Sequence, residues 1–266
     1  MPLTPPPLDL TGHRALVLGA SQGIGRATAE SFASLGASLT LIARTEEKLQ
    51  AVAEELSSAG ETPTVLPLDL DDSAAVKSSL ERLIADHGPH TIVVNNSGGP
   101  PAGPLFDADP EAFIPAMTRH VIASQIVAQS TVPGMKERGY GRIINVVSTS
   151  VYEPIANLGV SNTTRGAVAS WAKTLSKELG SFGITVNCVL PGFTDTERLG
   201  SLISGRAARE ERSEDAVAET MRSLIPAARF AKPREVADAI AFLASPAGGY
   251  INGVCLPVDG GRLASI

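Results

Sequence analysis

Seven short apolar runs, at residues 14–18, 38–43, 64–68, 91–94, 142–147, 184–190 and 254–258, recur along this chain with helix-patterned stretches between them. An amphipathic stretch over 24–35 stops at Gly36, and another over 46–59 stops at Gly60. Glycine suits the left-handed residue that ends a helix. Further helical patterns occupy 73–86, 110–137, 162–179, a polar stretch to 223, and 233–243. Strands that alternate with helices pair in parallel, because a parallel neighbour needs a crossover connection. The pattern predicts an α/β fold: a doubly wound parallel sheet of about seven strands with helices on both faces. No linker, composition break or internal repeat divides it, so residues 1–266 read as a single domain.

Composition narrows the partners. The chain is 43% hydrophobic and 19% charged, with a net charge of −6 and no dominant basic stretch. Neither nucleic acid nor an anionic membrane surface is an expected partner. No apolar run reaches the ~18 residues that a bilayer span needs. Residues 1–9, with four prolines in the first seven and no basic residue there, read as an extended Pro-rich arm rather than a signal peptide. The cytoplasm is the expected location. Cys188 and Cys255 sit in β-like runs and read as reduced, buried thiols. No metal site is read from the sequence.

Between the first strand and the first helix stands Gly19-Ala20-Ser21-Gln22-Gly23-Ile24-Gly25. Glycines there let the backbone turn tightly and bring a helix N-terminus against a pyrophosphate, whose charge suits the unpaired N–H groups. After a strand and before a helix, at the head of the first βαβ unit, this is the place of a dinucleotide-binding turn.

The turn resembles the T-G-x-x-x-G-x-G turn of the short-chain dehydrogenases/reductases, with Leu18 in place of the threonine. Asn95-Asn96-Ser97-Gly98 is similar to that family's N-N-A-G, Pro191-Gly192 to its P-G, and Val258-Asp259-Gly260-Gly261 to its closing V-D-G-G. The segment Ile225-Pro226, Arg229, Pro233 and Glu235-Val236-Ala237 matches another family motif. In order and over nearly the whole chain, these resemble the 3-oxoacyl carrier-protein reductases most. The resemblance implies a three-layer Rossmann fold and a homo-oligomer, dimer or tetramer. It also implies a small-molecule carbonyl substrate and a substrate lid over residues 193–223.

Cofactor choice is read at the end of the second strand, where an acid would accept hydrogen bonds from the ribose hydroxyls of NAD. That strand ends in Arg44 with no carboxylate. An arginine there pairs with a 2′-phosphate, or is simply exposed at a strand end. NADP(H) is the expected cofactor and NAD(H) the lesser expectation. By resemblance Gly19, Ser21, Gly23, Ile24 and Gly25 hold the pyrophosphate. Asp69 and Leu70 meet the adenine; Asn96, Ser97 and Gly98 line the adenine–ribose side, with Pro191, Gly192 and Thr194 toward the nicotinamide. Asp69 reads equally as a helix N-terminal acid.

The family's catalytic group is a serine, a tyrosine, a lysine four residues later and an asparagine on the preceding long helix. Ser148 falls on the serine; the other three positions hold Ser161, Arg165 and His120. None of the three tyrosines, Tyr140, Tyr152 and Tyr250, has a lysine four residues on. An alkanol is far less acidic than a phenol, and an arginine keeps its proton, so this set does not replace tyrosine and lysine in kind. Arg165 retains the positive charge beside the nicotinamide ribose. His120 titrates in the right range or is a satisfied helix histidine; Tyr152 is an alternative donor or a pocket wall. Ser148, Ser161 and Arg165 together are expected to bind a polar or anionic substrate group, with the proton coming from Tyr152, His120 or water.

These features predict an NADPH-dependent carbonyl reductase acting on a 3-oxoacyl-like substrate. The alternative is a catalytically silent dinucleotide-binding sensor or partner subunit, and a third class is a dehydratase or isomerase without net hydride transfer. By resemblance, relatives that dock a carrier protein carry arginines near the positions of Gly139 and Phe182; Arg138 is adjacent to the first, but a carrier-borne substrate is the weaker expectation.

Overall fold

The computed structural model describes residues 8–57 and 60–265; most of the expected N-terminal arm, residues 1–7, lies outside them. The seven apolar runs become β1 (Arg14–Leu18), β2 (Ser38–Ala43), β3 (Thr64–Pro67), β4 (Ile92–Asn95), β5 (Gly141–Val146), β6 (Ile184–Pro191) and β7 (Cys255–Val258). They pair in parallel in the order β3-β2-β1-β4-β5-β6-β7. The chain winds outward from β1 to β3, then crosses to β4 on the other side of β1. That reversal opens a crevice at the carboxyl ends of β1 and β4, the place where open parallel sheets bind ligands.

Helices cover both faces. α1 (Gly23–Ser34), α2 (Glu46–Ser57) and α9 (Pro233–Ala244) bury Phe32, Leu49, Val52 and Ile240 against Val17, Leu41, Ile144 and Val189. On the other face α3 (Ser73–His87), α5 (Ala123–Arg138) and α6 (Gly159–Leu179) bury Val76, Leu80, Val127, Met135 and Val168 against Leu16, Val93, Ile143 and Val186. Because both faces are packed, β5 is buried along its whole length without alternation, and its two polar side chains, Arg142 and Asn145, are buried with hydrogen bonds to Ser245, Gly141, Asn95 and Asn187. Each fully buried Leu, Ile or Phe in these layers contributes ~1.5–3 kcal/mol. Trp171 and Leu175 pack partly buried on the second core, and the indole N–H of Trp171 donates to Gln125 Oε1 at 2.8 Å.

Three local expectations change. The helical stretch 110–137 is broken into a 3-10 turn (Pro110–Ala112), α4 (Phe113–Met117), a π turn (Thr118–Ile122) and α5. A π turn carries one extra residue, and it holds His120, which is buried at 5% exposure. The polar stretch to 223 is two helices, α7 (Glu197–Glu210) and α8 (Glu214–Ser223). Thr196 caps the first through Leu199 N, Glu211 ends it in the left-handed region at φ 52°, and Ser213 caps the second through Ala216 N. These two helices close a small core of their own from Leu199, Ile203, Ala207, Val217 and Met221. Cys255 is only half-buried, while Cys188 opposite it in the β6–β7 register is buried; both are free. Among the described residues no helix is long and apolar enough to cross a membrane.

Candidate active site

A cleft of about 590 Å³ runs along the carboxyl ends of the central strands. At one side lies the glycine turn. Gly19 and Gly23 adopt φ of +65° and +55°, a region where side chains are strained. The turn is also too tight for side chains. A methyl on Gly19 would come within 2.6 Å of Asn96 Nδ2, and one on Gly25 within 2.1 Å of the Gly19 carbonyl oxygen. Asn96 fixes the arrangement by donating to the carbonyl of Leu18 at 3.3 Å. Gly19, Ser21, Gly23 and Ile24 line the cleft; Gly25 does not, and its part is to let α1 approach the turn. α1 begins with no side-chain cap at its N-terminus and no acidic residue in its first turn. Its leading N–H groups therefore suit a pyrophosphate, which is the test that a bound dinucleotide must pass at this end.

Arg44, exposed after β2, lines the next part of the cleft with Ser21, Gln22, Thr45 and Lys48. Lys48 Nζ donates to Gln22 Oε1 at 3.4 Å. Two cations and no carboxylate from that strand end suit a 2′-phosphate. Lys48 went unread in the sequence, although its place four residues past Arg44, in the first turn of α2, is a legible signal. Asp69 and Leu70, after β3, Asn96, Ser97 and Gly98, after β4, and Pro191, Gly192 and Thr194, at and after the end of β6, line the same cleft. Thr196 reaches over from α7, its methyl 3.3 Å from where a methyl on Gly23 would stand.

Ser148, Ser161 and Arg165 all line the same cleft. Ser148, two residues past the end of β5, caps the 3-10 turn Thr149–Val151, its Oγ accepting from Ser150 N at 3.1 Å. That leaves its hydroxyl hydrogen to donate elsewhere. Ser161 and Arg165 stand one turn apart in α6, both 9% exposed. Arg165 Nη1 donates to the Val146 carbonyl at 2.8 Å. Burial, then the charge of Arg198, pull its pKa down to about 10, so the guanidinium keeps its proton at neutral pH.

Two expected participants are elsewhere. Tyr152 is 48% exposed, does not line the cleft, and donates its hydroxyl to the Cys255 carbonyl at 3.1 Å. The 3-10 turn after Ser148 carries it past the cleft to the β7 edge. His120 lies behind the cleft wall, its Nδ1 2.7 Å from Ser97 Oγ. Burial, then Arg165 and Arg119, depress its pKa to about 2, so the ring is neutral. The residue lines a small void beside the cleft, and its Nε2 is buried with no hydrogen-bond partner among the described residues.

Residues 19–262 match a family model described as enoyl-(acyl carrier protein) reductase. The 3-oxoacyl-[acyl-carrier-protein] reductase of Vibrio harveyi is 34% identical over 256 residues, 96% of this chain and 98% of that protein. The chain belongs to the short-chain dehydrogenases/reductases. Among solved members of that family, L-sorbose reductase from Gluconobacter frateurii, complexed with NADPH and L-sorbose, superposes with a TM-score of 0.92. It is 30% identical and covers 98% of this chain and 100% of that one. An NADPH-dependent reductase involved in bacilysin biosynthesis superposes at 0.91, with 29% identity over 96% of this chain and 99% of its own. The Rossmann architecture expected from the glycine turn is the architecture of these reductases.

Proposed function

We propose that this protein is an NADP(H)-dependent oxidoreductase that reduces the carbonyl of a 3-oxoacyl-like small molecule with an atypical active site. One observation carries the reading: Ser148, Ser161 and Arg165 converge on the same cleft whose other end holds the glycine turn, Arg44 and Lys48. NADPH, when bound, supplies the hydride. The NADPH-dependent relatives support the phosphorylated cofactor, as do two cations where an acid would select NAD.

Within the cleft the Ser148 and Ser161 hydroxyls donate to the substrate carbonyl oxygen. As hydride arrives at the carbonyl carbon, the C=O π pair moves to oxygen, and the nearby Arg165 cation stabilises the alkoxide that forms. Preorganised donors and a fixed charge in a partly dry site stabilise such an anion more than water does. Neither Tyr152 nor neutral His120 is placed to deliver the last proton, so the alkoxide takes it from water. The α7–α8 pair over residues 193–223 serves as the lid, a role supported by its separate small core and by Thr196 above the glycine turn. The exposed apolar side chains of Ile114 and Ile122, beside α5, support assembly as a dimer or tetramer.

The test is NADPH oxidation across a panel of ketones, oxo acids and conjugated enoyl compounds, with wild type, Arg165→Ala and Ser148→Ala. Turnover lowered ~100-fold or more in both variants supports the reading. Tight NADPH binding without turnover of any compound favours the silent dinucleotide-binding protein instead, the reading that the lack of a tyrosine–lysine pair supports.

A further inference from the structure

Arg165 is not alone at its end of the cleft. Arg198, in the first turn of α7, also lines it, and donates from Nη2 to the Pro100 carbonyl at 2.8 Å. The two guanidinium groups come from different elements but aim at one spot. A methyl built on Gly99 would stand 3.4 Å from Arg198 Nη2 and 3.8 Å from Arg165 Nη2. Among the described residues neither arginine takes part in an ion pair with a carboxylate. Burial lowers the pKa of both guanidinium groups, and Arg198 lowers that of Arg165 further, with no carboxylate acting to raise either.

Two cations held together at the edge of a low-dielectric cleft repel each other, and an anion between them removes that penalty. Each guanidinium carries five N–H donors and gives one to a backbone carbonyl here, which leaves donors for a planar bidentate acceptor. The pyrophosphate turn and the Arg44–Lys48 pair already account for the charged groups of the dinucleotide at the opposite part of the cleft. Ser148 and Ser161 stand in the same pocket to meet a neutral carbonyl oxygen.

We propose that Arg165 and Arg198 clamp a carboxylate of the substrate, so that the natural substrate is an oxo acid whose carbonyl lies within a few bonds of a free carboxylate. This rests on the reductase reading above and narrows its substrate class.

The experiment compares matched pairs: pyruvate, acetoacetate and levulinate against their methyl esters, with NADPH, for wild type, Arg198→Gln and Arg198→Lys. Charge-assisted hydrogen bonds of this kind make wild type prefer the best acid over its ester by ~100-fold in kcat/KM. Arg198→Gln loses ~10–100-fold on the acid, stays within ~3-fold on the ester and within ~3-fold in NADPH affinity, and Arg198→Lys recovers part of the preference. A second readout separates this proposal from the reductase reading: the rise in Tm of NADP+-loaded protein on adding acid or ester. A rise specific to an acid and lost in Arg198→Gln supports the clamp even where nothing is turned over, and in that case it is the reductase reading that fails. Equal losses on acid and ester overturn the clamp. So does weakened NADPH binding with an unchanged acid-to-ester ratio, or the absence of acid preference in both turnover and Tm.

Discussion

Two buried histidines make the stability of this protein sensitive to mild acid. His90 and His120 are 0% and 5% exposed, and burial is the first cause that takes their pKa values from 6.5 down to about 4 and about 2. Both folded-state values lie below the unfolded one, so the unfolded chain binds these protons first. The stability is complete above pH ~6.5 and is lost as pH falls through 6.5 toward 4 for His90 and 2 for His120. Lowering pH from about 7.5 to about 5.5 protonates most of each histidine in the unfolded chain and little in the folded one. That costs about 1.4 kcal/mol per ring, or about 3 kcal/mol for both. Urea unfolding across this range measures it, and above pH ~5 the carboxylates add little. In His120→Asn, which keeps an amide beside Ser97, the loss falls by about half. A loss unchanged in that variant would show that His120 titrates as a free imidazole, and would restore it as a candidate proton donor.

Other perturbations act on single parts of the cleft. Arg44→Ala raises the KM for NADPH ~10–100-fold and moves that for NADH less than ~3-fold, since only the former brings a phosphate to Arg44; steady-state kinetics with both nucleotides reads the ratio. Gly25→Ala sets a methyl 2.1 Å from the Gly19 carbonyl oxygen and destabilises the turn by ~1–3 kcal/mol, with loss of NADPH affinity in a fluorescence titration. Tyr152→Phe removes only the hydrogen bond to Cys255, so kcat stays within ~2-fold while stability drops by ~0.5–1.5 kcal/mol in the same urea assay.

Much of the fold was legible because parallel strands buried on both faces are mostly apolar, and because glycine is required where the turn after β1 leaves no room. The strand runs therefore located the sheet to within a residue or two. The break at 118–122 was not legible, since a π turn changes the phase of a helix without leaving a pattern of its own around Thr118 to Ile122. In the site, Arg44, Ser148, Ser161 and Arg165 were readable by position along the chain. Tyr152 was misplaced because spacing from Ser148 says that it follows a strand, not which way the intervening 3-10 turn carries it. Arg198 was missed for the complementary reason: 33 positions after Arg165 in the sequence, it reaches Gly99 only through the packing of α7 over the cleft.

In the proposed mechanism, hydride transfer proceeds on the electrostatics of Ser148, Ser161 and Arg165 without a titrating protein acid. Single-turnover oxidation of NADPH, deuterated or not at the transferred position, tests it directly in H2O and D2O from about pH 6 to 9. The expected rate is nearly flat with pH, slowed by deuterium on the cofactor and changed little by D2O. A rate that breaks with an ionisation in that window, with a large solvent isotope effect that Tyr152→Phe or His120→Asn abolishes, would contradict it.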